Sequence, residues 1–98
     1  MINQIVLLKW AEAADTEQCT QACDALRALP AKIPSLLSLT VVTDESGHPD
    51  NFDVAVLTTF GDEQDWRSYQ EHPAHKQAVQ QHLAPILASK AAVLHVAR

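Results

Sequence analysis

Four short segments rich in apolar and β-branched residues have the character of β-strands, and they are separated by stretches with helical spacing or by turns. The strands are predicted over residues 2–10, 36–43, 52–60 and 91–97. Between the first two strands a helix is predicted over residues 15–29, and Asp15 with Gln18 three positions later forms a capping box at its start. The apolar stripe of this helix consists of Cys19, Ala22, Cys23, Leu26 and Leu29.

A second helical region follows the third strand and is predicted to be broken near His72. Asp62 is a good N-cap for a short helix that carries Tyr69. Pro73 suits the first position of a further helix, where a missing N–H group costs no hydrogen bond. The buried face of that helix is formed by Val79, Leu83 and Ile86. Pro85 ends or kinks it.

The elements follow the order β-α-β-β-α-β, which is the split βαβ arrangement of the ferredoxin-like α+β fold. Residues 1–98 form one domain by length, and a polar turn at 44–51 joins the second and third strands. Right-handed crossovers place both helical regions on the same face of a four-stranded antiparallel sheet. The helices therefore leave the other face of the sheet uncovered.

The predicted strands are apolar on both of their faces. The first strand has Val6 and Leu8 on one face but Ile5 and Leu7 on the other. Strands of this kind belong to sheets that are covered on both sides, and an uncovered apolar face is larger than monomers usually tolerate. We therefore expect a homodimer in which two sheets pack together across a two-fold axis and form a central barrel-like core.

Composition excludes several classes of function. The seven Lys and Arg residues are scattered in a chain of net charge −5, which disfavours nucleic-acid binding. Two glycines and the lack of a phosphate-cradling motif predict no nucleotide cofactor. No apolar segment approaches the roughly 20 residues of a membrane helix, and no leader pattern precedes Ile2. We expect a cytoplasmic protein that binds neither nucleic acid nor membranes.

The segment from Tyr69 to His75 is the richest in chemistry. His75 lies four residues before Val79, on the apolar stripe that faces the sheet. Gln4 shares a strand face with Leu8, so Gln4, Tyr69 and His75 can line one cavity between sheet and helices. The candidate ligand-binding residues are Gln4, Leu8, Tyr69, His72, His75 and Val79.

His75 and Tyr69 are the candidate catalytic residues. A neutral imidazole can take up a proton near physiological pH, and a phenol or amide can hydrogen-bond a substrate oxygen. A structural alternative is open, in which His75 bonds to backbone or water at a helix start and Tyr69 is a core aromatic. His72 and His75 lack further ligands at metal-binding spacing, so no metal is predicted.

Several segments carry a resemblance that spans nearly the whole chain in order. They are Met1-Ile2, Ile5–Lys9, Leu26–Pro30, Ile33-Pro34, Phe52–Val56 and the Y-x-x-H-P-x-H segment Tyr69–His75. The chain resembles the stress-responsive dimeric α/β-barrel family, also called the Dabb domain. Ser35 departs from the pattern, because the family usually has glycine after Ile-Pro.

The resemblance implies a ferredoxin-like fold that dimerises through its sheets. Plant members include heat-stable stress proteins and polyketide cyclases, and related dimeric barrels include cofactor-free monooxygenases. In the cyclases, the motif's tyrosine and last histidine, matched here by Tyr69 and His75, act with a histidine on the first strand. Gln4 stands at that strand position, and glutamine cannot take up a proton at neutral pH. Two functions are possible. One is a protein that binds an apolar or aromatic molecule and carries out cofactor-free cyclase, lyase or oxygenase chemistry on it. The other is a non-enzymatic stress protein with a structural or interaction role.

Overall fold

The protein folds as a four-stranded antiparallel sheet with helices packed on one face. A computed structural model describes all 98 residues. The strands are β1 Ile2–Trp10, β2 Ser38–Thr43, β3 Val54–Phe60 and β4 Leu87–Val96. They lie in the order β2-β3-β1-β4, with every neighbouring pair antiparallel. This is the predicted ferredoxin-like arrangement, and the predicted fold class is confirmed.

Three α-helices cover the sheet, together with shorter helical turns. They are α1 Thr16–Arg27, α2 Glu63–Glu71 and α3 Pro73–Ala78. The predicted capping box is present, since the Asp15 carboxylate accepts from the Gln18 N–H at 2.7 Å and the Gln18 side chain accepts from the Asp15 N–H at 3.0 Å. None of these helices combines the length and apolar character needed to cross a membrane.

The chain after α3 differs most from the sequence prediction. A wider π-helical turn occupies Val79–Leu83, in which the Ala84 N–H donates to the Val79 carbonyl, and a 3₁₀ turn follows at Ala84–Ile86. Strand β4 then begins at Leu87, four residues before the predicted start at residue 91. Pro85 lies in the 3₁₀ turn, where it has no N–H to continue the helical hydrogen bonds.

One face of the sheet packs against the helices and forms the core. Ile2, Leu8, Val54, Val56 and Phe60 are buried there against residues of α1, α2 and the turns after α3. Two-residue alternation places these side chains on a common face. The predicted apolar helix stripe also belongs to this core, with Ala22, Cys23, Leu26 and Leu29 buried and Cys19 packed against them.

The opposite face of the sheet carries an exposed apolar row. Thr40, Leu57, Ile5 and Val93 are register neighbours across the four strands. Ile5 is 41% exposed, Leu57 38% and Val93 63%. No other part of this chain covers these side chains, so they form what we call the open face.

Candidate functional site

A cavity of about 470 Å³ lies between the sheet and the helices. Eleven of its sixteen lining residues are hydrophobic. The other five are Gln4 on β1, Thr58 on β3, Gln70 on α2, His75 on α3 and Lys90 on β4. Tyr69 on α2, counted among the hydrophobic residues, adds a hydroxyl group. Its volume falls within the usual range of small-molecule sites, roughly 300–1,000 Å³.

A break in the helical region brings Tyr69 and His75 together. His72 has an extended backbone with ψ 134°, which is the conformation that a following proline imposes. Helix α2 therefore ends at Glu71 and α3 starts at Pro73 in a new direction. The rings of Tyr69 and His75 then face each other with centroids 4.3 Å apart and planes tilted by 48°.

Both rings are held in their neutral forms by burial. Burial raises the pKa of Tyr69 to about 12. Burial also lowers the pKa of His75, the positive charge of Lys90 lowers it further, and the Gln70 carbonyl partly opposes the shift. The Nδ1 atom of His75 is buried and has no hydrogen-bond partner. An uncharged imidazole with an unpaired nitrogen is suited to accept or donate a proton.

Gln4 is fixed beside these rings by its neighbours. The Gln70 amide donates to the Gln4 side-chain oxygen at 3.5 Å, and the Thr58 hydroxyl donates to the Gln4 backbone carbonyl at 3.3 Å. Gln4 is 8% exposed, so its amide is a buried polar group with one long side-chain hydrogen bond. It retains capacity to bond a further oxygen or N–H group.

Five of the six predicted ligand-binding residues line this cavity. They are Gln4, Leu8, Tyr69, His75 and Val79. His72 does not line it, contrary to the prediction. Its Nδ1 accepts from the Ala74 N–H at 3.0 Å, so its ring caps the first turn of α3. That position satisfies a helix-start donor that would otherwise have no partner.

The sequence prediction missed three polar lining residues. Thr58 shares the face of Val56, so two-residue alternation could have identified it. Gln70 follows Tyr69 and reaches the cavity from the end of α2. Lys90 precedes the predicted start of the last strand at residue 91. In the structure it belongs to β4, pairs with Leu8 and lies on the helix-covered face.

A second groove lies at the end of the sheet, beside the start of α1. It has a volume of about 570 Å³ and includes Lys9, Asp15, Cys19, Asp44 and Asp53 among its lining residues. Eight of its fourteen lining residues are polar or charged. It lacks the buried Tyr69–His75 pair, so the smaller cavity is the better candidate site. No group of three or more potential metal-binding side chains is present in the chain.

The depressed pKa of His75 predicts that acid destabilises the protein. The unfolded chain binds a proton at the ordinary pKa of about 6.5, while the folded chain binds it only at lower pH. The neutral form of His75 therefore contributes fully to the free energy of unfolding above the ordinary pKa. This contribution is lost as the pH falls through the pKa of the folded chain. The urea midpoint should decrease between about pH 7.5 and pH 5.

Replacement of His75 separates this effect from other titrations. His75→Gln should flatten the decrease in the urea midpoint, whereas His48→Gln, in the exposed loop, should leave it unchanged. The two variants are compared with the wild type at one protein concentration. An unaltered pH dependence in His75→Gln would contradict the assignment.

The fold and the cavity together define a class: a ferredoxin-like α+β domain with an open sheet face and a small-molecule-sized cavity under its helices. The model of the stress responsive A/B barrel domain, Dabb, matches residues 2–94. The chain belongs to this family, as its motifs predict.

Solved structures share the fold over nearly their whole length. A dimeric ferredoxin-like protein of unknown function from Thermobifida fusca is 34% identical, with a TM-score of 0.87, and the match covers 98% of this chain and 90% of that one. A Dabb family protein from Mesorhizobium loti is 15% identical, with a TM-score of 0.83 and coverage of 99% and 96%.

An enzyme has the same fold at low identity. The hydroxynitrile lyase of Passiflora edulis is 16% identical, with a TM-score of 0.87, and the match covers 99% of this chain and 93% of that one. At this identity the likeness is one of fold. None of the curated proteins matches the chain.

Proposed function

We propose that this protein is a homodimer that binds a small apolar or aromatic molecule, of polyketide-like character, in the cavity of each subunit. The observation that carries the proposal is the cavity itself. It combines apolar walls with Gln4, Tyr69 and His75, the polar groups that could orient such a molecule. The buried Nδ1 of His75 has no partner within the protein, so it is free to bond a molecule in the cavity.

The chemistry available in the cavity is proton transfer without a cofactor. Neutral His75 accepts a proton from an acidic C–H or O–H group of the bound molecule. The Tyr69 hydroxyl stays protonated up to a pH of about 12 and can donate a hydrogen bond to the oxygen where negative charge develops. The Gln4 amide orients the same molecule. These roles suit a cofactor-free cyclase, lyase or oxygenase.

Gln4 limits which proton transfers the site can perform. His75 is the one imidazole that lines the cavity, and the glutamine on β1 cannot take up a proton. A reaction in this cavity therefore takes and returns its proton at the same imidazole or passes it to water. The Passiflora lyase contributes the precedent of an enzyme with this fold and nothing more specific.

The open face supports the homodimer. Its central row of Leu57, Ile5 and Val93 is apolar and exposed in one chain. The Thermobifida relative with the same fold is described as dimeric. Packing two open faces together removes this apolar area from water, and it leaves the cavity on the opposite side of each sheet accessible.

Filling the cavity should weaken binding of an apolar probe. We expect the wild type to bind 2-naphthol by isothermal titration calorimetry. Val79→Trp places an indole in the cavity and should weaken that binding at least about tenfold, a change of roughly 1.4 kcal/mol. Gln80→Trp, one residue further on and exposed, is the matched control and should bind like the wild type.

The alternative, a stress protein with no ligand, makes the opposite forecast. It expects no binding of the probe to the wild type, or equal binding to Val79→Trp and Gln80→Trp. Either result would remove the cavity as the functional site. Circular dichroism of both variants checks that each retains the fold.

A further inference from the structure

Lys90 provides the only charged side chain that lines the cavity. The other fifteen lining residues are apolar or uncharged polar, if His75 is counted as neutral. Lys90 lies on β4 directly opposite Leu8 of β1, so its side chain leaves the sheet on the helix-covered face. Lys90 lines the cavity and is exposed to solvent, so we take its side chain as the solvent-facing part of the lining, which we call the mouth.

The charge of Lys90 is not neutralised by the protein. The two ion pairs in the structure join Arg27 to Asp24 and Arg67 to Glu63. Lys9, in contrast, donates from its ammonium group to the Pro49 and Asn51 carbonyls at 3.2 and 2.7 Å, whereas Lys90 makes no side-chain hydrogen bond.

The sign of this charge is opposite to that of the chain. Asp and Glu number 12 against seven Lys and Arg, yet none of the acidic residues lines the cavity. A ligand that enters therefore meets one unpaired positive charge next to a predominantly apolar wall. An anionic group is the ligand chemistry that this charge favours.

We propose that the cavity selects molecules with a carboxylate on an apolar or aromatic body, with the carboxylate bound by Lys90 at the mouth. This rests on the proposed function, since it names the ligand class of the same cavity. The apolar body lies against Leu8, Val79 and Leu83, which belong to the apolar lining. The reacting portion of the molecule then lies beside Tyr69 and His75.

The arrangement also gives Lys90 a second effect on the site. Its charge contributes to the lowered pKa of His75, together with burial, and Tyr69 is the other titratable group facing that ring. A bound carboxylate would neutralise Lys90 and reduce this contribution. Ligand binding and protonation of His75 are therefore linked, with the anion favouring uptake of a proton.

A matched pair of probes tests the selection. 2-Naphthoate and 2-naphthamide have nearly the same shape and differ in charge. By isothermal titration calorimetry at low salt, the wild type should bind the carboxylate about tenfold more tightly than the amide. Lys90→Met should remove this preference while still binding the amide. Lys76→Met, on the exposed side of α3, should keep it. Added salt should weaken only the carboxylate preference.

The outcomes separate the two proposals. Equal binding of both probes to the wild type, or a preference that survives in Lys90→Met, overturns the selection by Lys90. In that case sensitivity of the amide to Val79→Trp still supports the cavity as the binding site. If neither probe nor 2-naphthol binds the wild type, the ligand-binding function and the anion selection both fall.

Discussion

Replacement of Leu57 by Asp is expected to convert the proposed homodimer into a monomer. Leu57 lies in the central row of the open face, between Thr40 and Ile5. A two-fold interface contains each residue twice, so the substitution buries two unpaired carboxylates. Each costs at least about 2 kcal/mol, which raises the dissociation constant by roughly three orders of magnitude. Sedimentation velocity at micromolar concentration measures the change.

Two further variants make this result interpretable. Val93→Asp places the same charge on β4 at a position that is 63% exposed in one chain, and it should also give monomers. Gln64→Asp adds a carboxylate to the exposed surface of α2 and should remain dimeric. A wild type that sediments as a monomer, or a Leu57→Asp variant that sediments as a dimer, would refute the interface.

Replacement of Phe60 by Ala is expected to lower the free energy of unfolding by about 3–5 kcal/mol. Phe60 is 0% exposed, and its ring lies 5.1 Å from that of Tyr69. Loss of the ring opens a cavity in the core and leaves Tyr69 without a neighbour on one side. Since small domains are stable by only about 5–15 kcal/mol, this is a large share of the total.

Urea titration measures the loss against a matched control. Phe52→Ala removes the same ring at a half-buried position just before β3 and should cost distinctly less. The proposed dimer would add a concentration-dependent contribution to stability, so all variants are compared at one protein concentration. A loss below about 1 kcal/mol for Phe60→Ala would contradict the description of the core.

Much of the fold could be predicted because local patterns agree with tertiary packing. Asp15 and Gln18 form the predicted capping box, and the alternation of Val54, Val56 and Phe60 matches their burial. The start of β4 was mispredicted for a physical reason. The segment Leu87–Lys90 has no β-branched residue, and its extended conformation comes from pairing with β1, which local preference does not reveal.

The residues that line the cavity were likewise predicted where local spacing places them and missed where strand pairing does. Strand alternation predicts Gln4 on the same strand face as Leu8, and helical spacing predicts His75 on the same helix face as Val79. Both pairs line the cavity. The position of Lys90 on the helix-covered face depends on the register between β1 and β4, which the local sequence pattern does not encode. The position of His72 differs from the prediction for another reason. Its side chain can either line the cavity or cap the start of its own helix. In the structure it accepts a hydrogen bond from the Ala74 N–H and caps the helix.

The backbone break at His72 has a geometric consequence for the Tyr69–His75 pair. On one continuous helix, side chains six positions apart point about 120° away from each other around the axis, since each residue advances by roughly 100°. The change of direction at His72–Pro73 cancels that divergence and lets two such side chains stack. The backbone angle at this dipeptide therefore sets the distance between the rings of Tyr69 and His75. The segment Tyr69–His75 is therefore better understood as one stereochemical unit than as a set of independent side chains.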